Sequence, residues 1–217
     1  MRQIKSYVKR QGRITTGQEE ALTKLMPIHA INYQPSKINL DAAFGRNAPK
    51  IIEIGFGMGH ATWQIAKEHP ENDYLGLEVH SPGVGSLLMQ MNDNDVHNIK
   101  VIKHDAVEVL DHMIEDNTVF GFHIFFPDPW HKKKHHKRRI IQTHFVELLS
   151  QKLKLGGYIH IATDWEDYAI WISNILQNSS HLKAESFVSS NRPTTKFEKR
   201  GLGLGHKIHD FYFIKII

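Results

Sequence analysis

The chain has 217 residues, 41% hydrophobic and 23% charged, with a net charge of +4 and no cysteine. That length suits one sizeable α/β core, and the composition is ordinary for a soluble globular protein. The missing thiols exclude disulfides, thiolate metal sites and a cysteine nucleophile; no apolar run approaches the ~20 residues of a membrane span and no leader opens the chain, so a cytoplasmic location with no membrane partner is expected.

Residues 1–49 read as a basic arm, irregular or partly helical, carrying Arg2, Lys5, Lys9, Arg10 and Arg13 with no acid before Glu19. From Lys50, apolar strand-like runs alternate with helix-like stretches. The expected strands are Lys50–Ile54, Tyr74–Val79, Ile99–Lys103, Gly121–Phe126 and Tyr158–Ala162. Ser81-Pro82 has the look of an N-cap followed by a proline at the first helical position. Ile141, Phe145, Leu148 and Leu149 share one helical face, in a stretch that should end at Gly156-Gly157, and Tyr168, Ile172, Ile175 and Leu176 repeat the pattern after Asp164. Ser186–Ser189 and Phe211–Ile217 are strand-like with no convincing helix between them, which predicts an edge hairpin with a long connection. Such alternation predicts an α/β, Rossmann-like fold: a mainly parallel sheet, helices on both faces and an antiparallel C-terminal edge. One domain spans 1–217, an arm at 1–49 and a catalytic core at 50–217.

Five acids sit at or just past the carboxyl ends of the five expected strands: Glu53, Glu78, Asp105, Asp128 and Asp164, spaced 25, 27, 23 and 36 residues apart. Ligands of open α/β sheets bind outside those ends. Carboxylates beside apolar strands are costly unless paired, so five in step favour a site, although Asp105 and Asp164 could each cap a helix. Glu53 opens Gly55-Phe56-Gly57-Met58-Gly59, whose third glycine follows the second by two residues instead of the three of a dinucleotide fingerprint, and no phosphate-loop Lys-Ser or Lys-Thr follows. Both NAD and ATP are disfavoured. Glu78 suits ribose hydroxyls, as an adenosine cofactor with little or no phosphate requires.

The strongest signal is Pro127-Asp128-Pro129-Trp130 at the end of the fourth strand, followed by nine basic or histidine residues from His131 to Arg139. Two prolines stiffen the backbone around one carboxylate, the tryptophan offers a stacking plane or a core cap, and the run offers a polyanion site. It also resembles a nuclear localisation signal, as the arm resembles a transit peptide, but both segments adjoin the expected site. No metal site is expected, because lysines crowd the histidines of the run and no carboxylate is interleaved. Gly201–Gly205 reads as a flexible connection, with His206 and Asp210 structural.

These stretches resemble the tRNA (guanine-N7)-methyltransferase family. The matching segments are Glu53–Gly59, Leu77–Gly85, Phe126–Trp130 with the basic run, Ala162–Trp165 and Thr195–Gly201, and no motif residue departs from the family's pattern; Arg10–Arg13 match less specifically. The resemblance implies S-adenosyl-L-methionine as cofactor and methylation of guanine N7 in the variable loop of tRNA. It implies cofactor contacts from Glu53, Gly55, Gly57, Gly59, Glu78, Asp105 and Asp128, with Asp105 near the adenine. It places Asp128 at the reacting guanine, and Lys132, Asp164, Thr195, Lys196, Phe197 and Glu198 on the tRNA side. The resemblance leaves monomer, homodimer and complex with a partner subunit open as assemblies. The competing readings are a base-amine methyltransferase, which would favour a second proline after Asp128-Pro129, a non-catalytic RNA-binding protein on the same scaffold, and a nicotinamide dehydrogenase, which the glycine spacing disfavours.

Overall fold

A computed structural model describes residues 4–8, 12–185 and 193–217, apart from the side chains of Lys196 and Phe197. Helices α1 (Thr16–Lys24), α2 (Met26–His29) and α3 (Leu40–Phe44) precede the sheet. Thr15 and Gln18 form a reciprocal capping box at the start of α1. Asn39 caps α3, which ends at the left-handed Gly45. The described arm is therefore partly helical, with polar caps on α1 and α3, while α2 starts without a side-chain cap.

The chain then runs β1 (Lys50–Ile54), α4 (His60–Glu68), β2 (Asp73–Leu77), α5 (Ser81–Asp93), β3 (Ile99–Ile102), α6 (Ala106–His112), β4 (Val119–Phe125), a 3-10 turn (Lys133–Arg138), α7 (Thr143–Lys152), β5 (Leu153–Thr163), α8 (Glu166–Gln177), β6 (Leu182–Ala184), α9 (Lys196–Gly203) and β7 (His209–Lys215). These strands make one sheet in the order β3-β2-β1-β4-β5-β7-β6. β1 to β5 are parallel, and β7 runs antiparallel between β5 and β6. Alternate residues of β1 feed two cores. Ile52 packs with Phe122 and Ile159 against Leu110, Phe145 and Ile172 of α6, α7 and α8. Ile51 packs with Tyr74 and Val101 against Ala21, Ile65 and Leu88 of α1, α4 and α5. In α5 the buried set Val84, Leu87, Leu88 and Met91 follows helical spacing, and each such side chain stabilises by about 1.5–3 kcal/mol. Among the described residues no helix is long and apolar enough to cross a membrane.

Three local expectations need correction, and a fourth falls outside the described residues. Ser81 is the first residue of α5, not its cap; His80 occupies the cap without a side-chain bond, and Pro82 takes the second position, where its missing N–H costs nothing. α7 stops at Lys152, because Leu153 pairs with Val119 and the strand continues through Gly156-Gly157 past a register shift at Val119/Gly121. The strand paired with β7 at the edge is Leu182–Ala184, whereas the expected Ser186–Ser189 lies outside the described residues. Helix α9 fills the connection that was expected to hold none, and Gly201–Gly203 form its last turn.

Candidate active site

The strand order reverses around β1, which lies between β2 and β4, and crevices open at the carboxyl ends of such switch points. All five acids lie along this edge. Glu53 stands in β1 in register with Gly76 and His123; Glu78, Asp105, Asp128 and Asp164 follow the ends of β2, β3, β4 and β5.

After Glu53 the backbone turns through left-handed Gly55 (φ 72°) and Gly57 (φ 58°), and a Cβ on either would project into open space. The Glu78 carboxylate accepts the N–H groups of Gly57 at 2.9 Å, Val79 at 2.7 Å and His80 at 3.0 Å, which fixes the second acid to the first loop. Glu53 is 3% exposed and its Oε2 has no hydrogen-bond partner. Burial pushes its carboxyl up to about 7, opposed by the Thr62 hydroxyl and assisted by the nearby charge of Glu78. A buried acid with one unpartnered oxygen beside an open glycine cradle fits a nucleoside cofactor that carries a cation. Gly59 (φ 76°) has a different reason to be glycine: a Cβ there would meet the Cβ of Leu87 at 2.6 Å. Gly59→Ala should cost about 3 kcal/mol, from strain and overpacking together, in a urea titration. A loss under about 1 kcal/mol would mean that α4 and α5 can move apart freely.

At the end of β3, Asp105 caps α6 by accepting the Val107 N–H at 2.9 Å. Its other oxygen meets Lys5 Nζ of the arm at 2.8 Å, and Lys5 also reaches Glu108 at 2.5 Å. Partial burial lowers the Lys5 pKa, and its hydrogen bonds to the two carboxylates more than reverse this. Further along the arm, the Ser6 carbonyl accepts Trp130 Nε1–H at 3.0 Å and the Tyr7 carbonyl accepts from Arg138 at 3.0 Å. The arm thus spans the edge from β3 to β4, a placement no motif had indicated.

Asp128 is exposed between its two prolines. Phe126 (φ 53°) and Trp130 (φ 49°) bracket it in the left-handed region, a conformation that costs about 1–3 kcal/mol per residue unless the surroundings impose it. They do so here: Phe126 N–H bonds the Ala162 carbonyl at 2.8 Å, and Arg139 Nε–H bonds the Pro129 carbonyl at 2.9 Å. Arg139 is only 2% exposed; it pairs with Asp167 and lies over the rings of Tyr168 and Trp171. The basic run is therefore not a uniform polyanion site. Lys132, Lys133, Lys134 and Lys137 face solvent, whereas Arg138 lies 4.3 Å above the Trp130 ring and Arg139 is a core brace under the Asp128 turn. Trp130 is half-buried with one face on Arg138, a framework residue as much as a platform.

Asp164 does not cap α8; Trp165 holds that position. Asp164 bonds His206 at 3.3 Å and packs on α9, where a Cβ at Gly201 would meet its Oδ2 at 2.6 Å. Thr195 and Glu198 form a reciprocal capping box at the start of α9, a Thr-x-x-Glu pattern legible in the sequence as a helix start but unused there. Lys196 and Phe197 belong to α9 by backbone. Asp210 bonds His160 at 2.7 Å in the sheet, as its structural reading required. Asp164 and the Thr195 motif thus form one unit beside β5, while Glu53, Glu78 and Asp128 converge on the switch point.

A mainly parallel seven-stranded sheet with an acid-and-glycine cradle at its switch point defines the class I methyltransferase architecture. Two solved structures share that fold: an rRNA methylase from Streptococcus thermophilus (TM-score 0.55, 12% identity, covering 85% of this chain and 98% of that one), and a SAM-dependent methyltransferase from Aquifex aeolicus (TM-score 0.53, 15% identity, covering 82% and 88%). A sequence profile described as "Putative methyltransferase" matches residues 47–211. Relatives named tRNA (guanine-N(7)-)-methyltransferase include one from Methylobacillus flagellatus, 54% identical over 98% of this chain and 91% of its own. Another, from Chromobacterium violaceum, is 52% identical over 98% and 96%. The chain belongs to the tRNA (guanine-N7)-methyltransferase family.

Proposed function

We propose that the protein methylates N7 of a guanine in the variable loop of tRNA, with S-adenosyl-L-methionine as methyl donor. The observation that carries this reading is the braced turn holding one exposed carboxylate, Asp128, beside the Glu53–Gly59 cradle and a strip of exposed lysines. Glu53, Glu78 and the glycine loop hold the cofactor. Asp105 serves its adenine end, with one oxygen released from Lys5, and the cofactor supplies an electrophilic methyl group when bound.

Guanine N7 has a lone pair and no proton, so no base is needed to deprotonate it first. The protein has to align the ring and manage charge. Asp128 accepts hydrogen bonds from guanine N1–H and the N2 amine, and its negative charge stabilises the cation that develops on the purine. Because the turn is pinned by Arg139 and Phe126, the carboxylate is in place before the base arrives. Asp164 and the Thr195–Glu198 start of α9 flank the RNA on the β5 side. The enzyme works in the cytoplasm, as a monomer or homodimer unless a partner subunit joins it, and the arm at 1–49 acts with the core as one catalytic unit. Cleaving the methylated tRNA chemically at 7-methylguanosine tests the site: a single break in the variable loop is expected, and a break elsewhere would overturn that assignment.

Lys132, Lys133 and Lys134 neutralise phosphates. Replacing all three with Ala should flatten the log–log salt dependence of tRNA binding by about 2–3 and weaken binding at physiological salt. An unchanged slope would remove these lysines from the interface.

A further inference from the structure

At the end of β5 two aromatic rings lie face to face outside the constellation just described. Trp165 is half-buried, caps α8 through its backbone and packs its ring against the core. His131, exposed at the head of the basic run, lies flat on the indole, with centroids 4.0 Å apart and planes 19° apart. His206 presents its edge at 6.1 Å. Beside them opens a cleft of about 450 Å3, lined by Asp164, Trp165, Glu166, Ile170, His206 and Lys207, within the size range of small-ligand sites.

The acids of this rim are engaged. Asp164 bonds His206, Glu166 pairs with His209 at 2.8 Å, and Asp167 pairs with the buried Arg139. Lys207 and the exposed lysines after His131 stand beside this rim as cations for an approaching phosphate backbone, and Arg139 offsets the charge of Asp167. Of the two stacked rings one is anchored and the other sits in an exposed loop, so the imidazole covers a flat apolar face that another flat ring could take.

We infer that Trp165 is a stacking platform for a nucleobase of the RNA substrate neighbouring the target guanine, and that His131 covers the platform until that base displaces it. This rests on the tRNA reading above. Every base has a π face, so such a platform positions the strand without reading its sequence. It would hold the RNA on the β5 side while Asp128 receives the guanine.

The test compares Trp165→Ala, Trp165→Tyr and His131→Ala by anisotropy of labelled tRNA and by steady-state methyl transfer. Trp165→Ala should raise the Kd and KM for tRNA about tenfold with a smaller change in kcat, and Trp165→Tyr should recover most of that loss. His131→Ala, which uncovers the indole, should leave tRNA affinity intact or tighten it. Affinity for S-adenosylmethionine should not change in any of the three. Equal losses in His131→Ala and Trp165→Ala would make the stack a structural joint and overturn the proposal. Trp165→Tyr no better than Trp165→Ala, or native tRNA affinity in Trp165→Ala, would overturn it too. A native protein that neither binds nor methylates tRNA would overturn the functional reading itself, an outcome distinct from failure of the platform alone.

Discussion

Asp128→Asn should lower kcat about 100- to 1,000-fold, the range seen when one preorganised electrostatic group is lost from a reaction centre. The amide keeps the shape of the side chain but loses the charge that opposes the growing purine cation. Its amide oxygen can accept from only one of the two guanine donors, which leaves the NH2 group donor to donor against the other. The turn should survive the change, because its geometry is held by the backbone of Phe126 and Pro129 through Ala162 and Arg139. Affinity for S-adenosylmethionine should remain close to native, since Glu53, Glu78 and the glycine loop are untouched. Asp128→Glu should also be slow, because the longer side chain moves the carboxylate by about an ångström, and misplacement on that scale can cost about 100-fold. Single-turnover kinetics at saturating tRNA would separate chemistry from binding, and near-native turnover in Asp128→Asn would remove the carboxylate from the reaction.

Glu53→Gln should stabilise the ligand-free protein and weaken cofactor binding at once. Burial pushes this carboxyl up to about 7 from an ordinary value of 4.5. A raised carboxylate pKa means that the folded state binds more protons than the unfolded state between those values, so stability falls as pH rises through that window. Above pH 7 the full effect is a destabilisation of about 3 kcal/mol, at about 1.4 kcal/mol for each tenfold change in proton affinity. Removing the acid should therefore raise stability at pH 8 by up to about that amount and leave it little changed at pH 4, where the native side chain is already neutral. The cationic cofactor favours the ionised form, so its affinity for the native protein should rise as pH climbs from 5.5 to 7.5, and in Glu53→Gln that rise should disappear along with about tenfold or more of the affinity. Calorimetric titrations at several pH values would measure it. A stability gain equal at pH 4 and pH 8 would locate the effect in packing instead of charge.

Much of this site is legible in the sequence because its parts are local. A buried parallel strand must be a continuous apolar run, so β1 and β4 announce themselves, and the acids that follow such runs share an edge by topology alone. Pro127-Asp128-Pro129 is stiff by covalent structure. What is hidden depends on distant partners. Nothing in His131–Arg139 distinguishes Arg139 from its neighbours until Asp167, Tyr168 and Trp171 of α8 enclose its guanidinium. α9 has a short, polar, glycine-ended sequence; its capping box and its contact with Asp164 hold it in place. Lys5 meets Asp105 across 100 positions of chain, beyond the reach of any local pattern. β5 passes through Gly156-Gly157 because the left-handed Gly156 (φ 76°) accommodates the irregularity between the Leu153 and Tyr158 pairings with β4.

The proposed reaction places a methyl group on guanine N7, with Asp128 held on its braced turn against the base. Purified protein, methyl-labelled S-adenosylmethionine and unmodified tRNA should yield label in 7-methylguanosine after digestion to nucleosides, and the Asp128→Asn protein run in parallel should yield almost none. Label in an N-methylated exocyclic amine, or equal label from the two proteins, would contradict it.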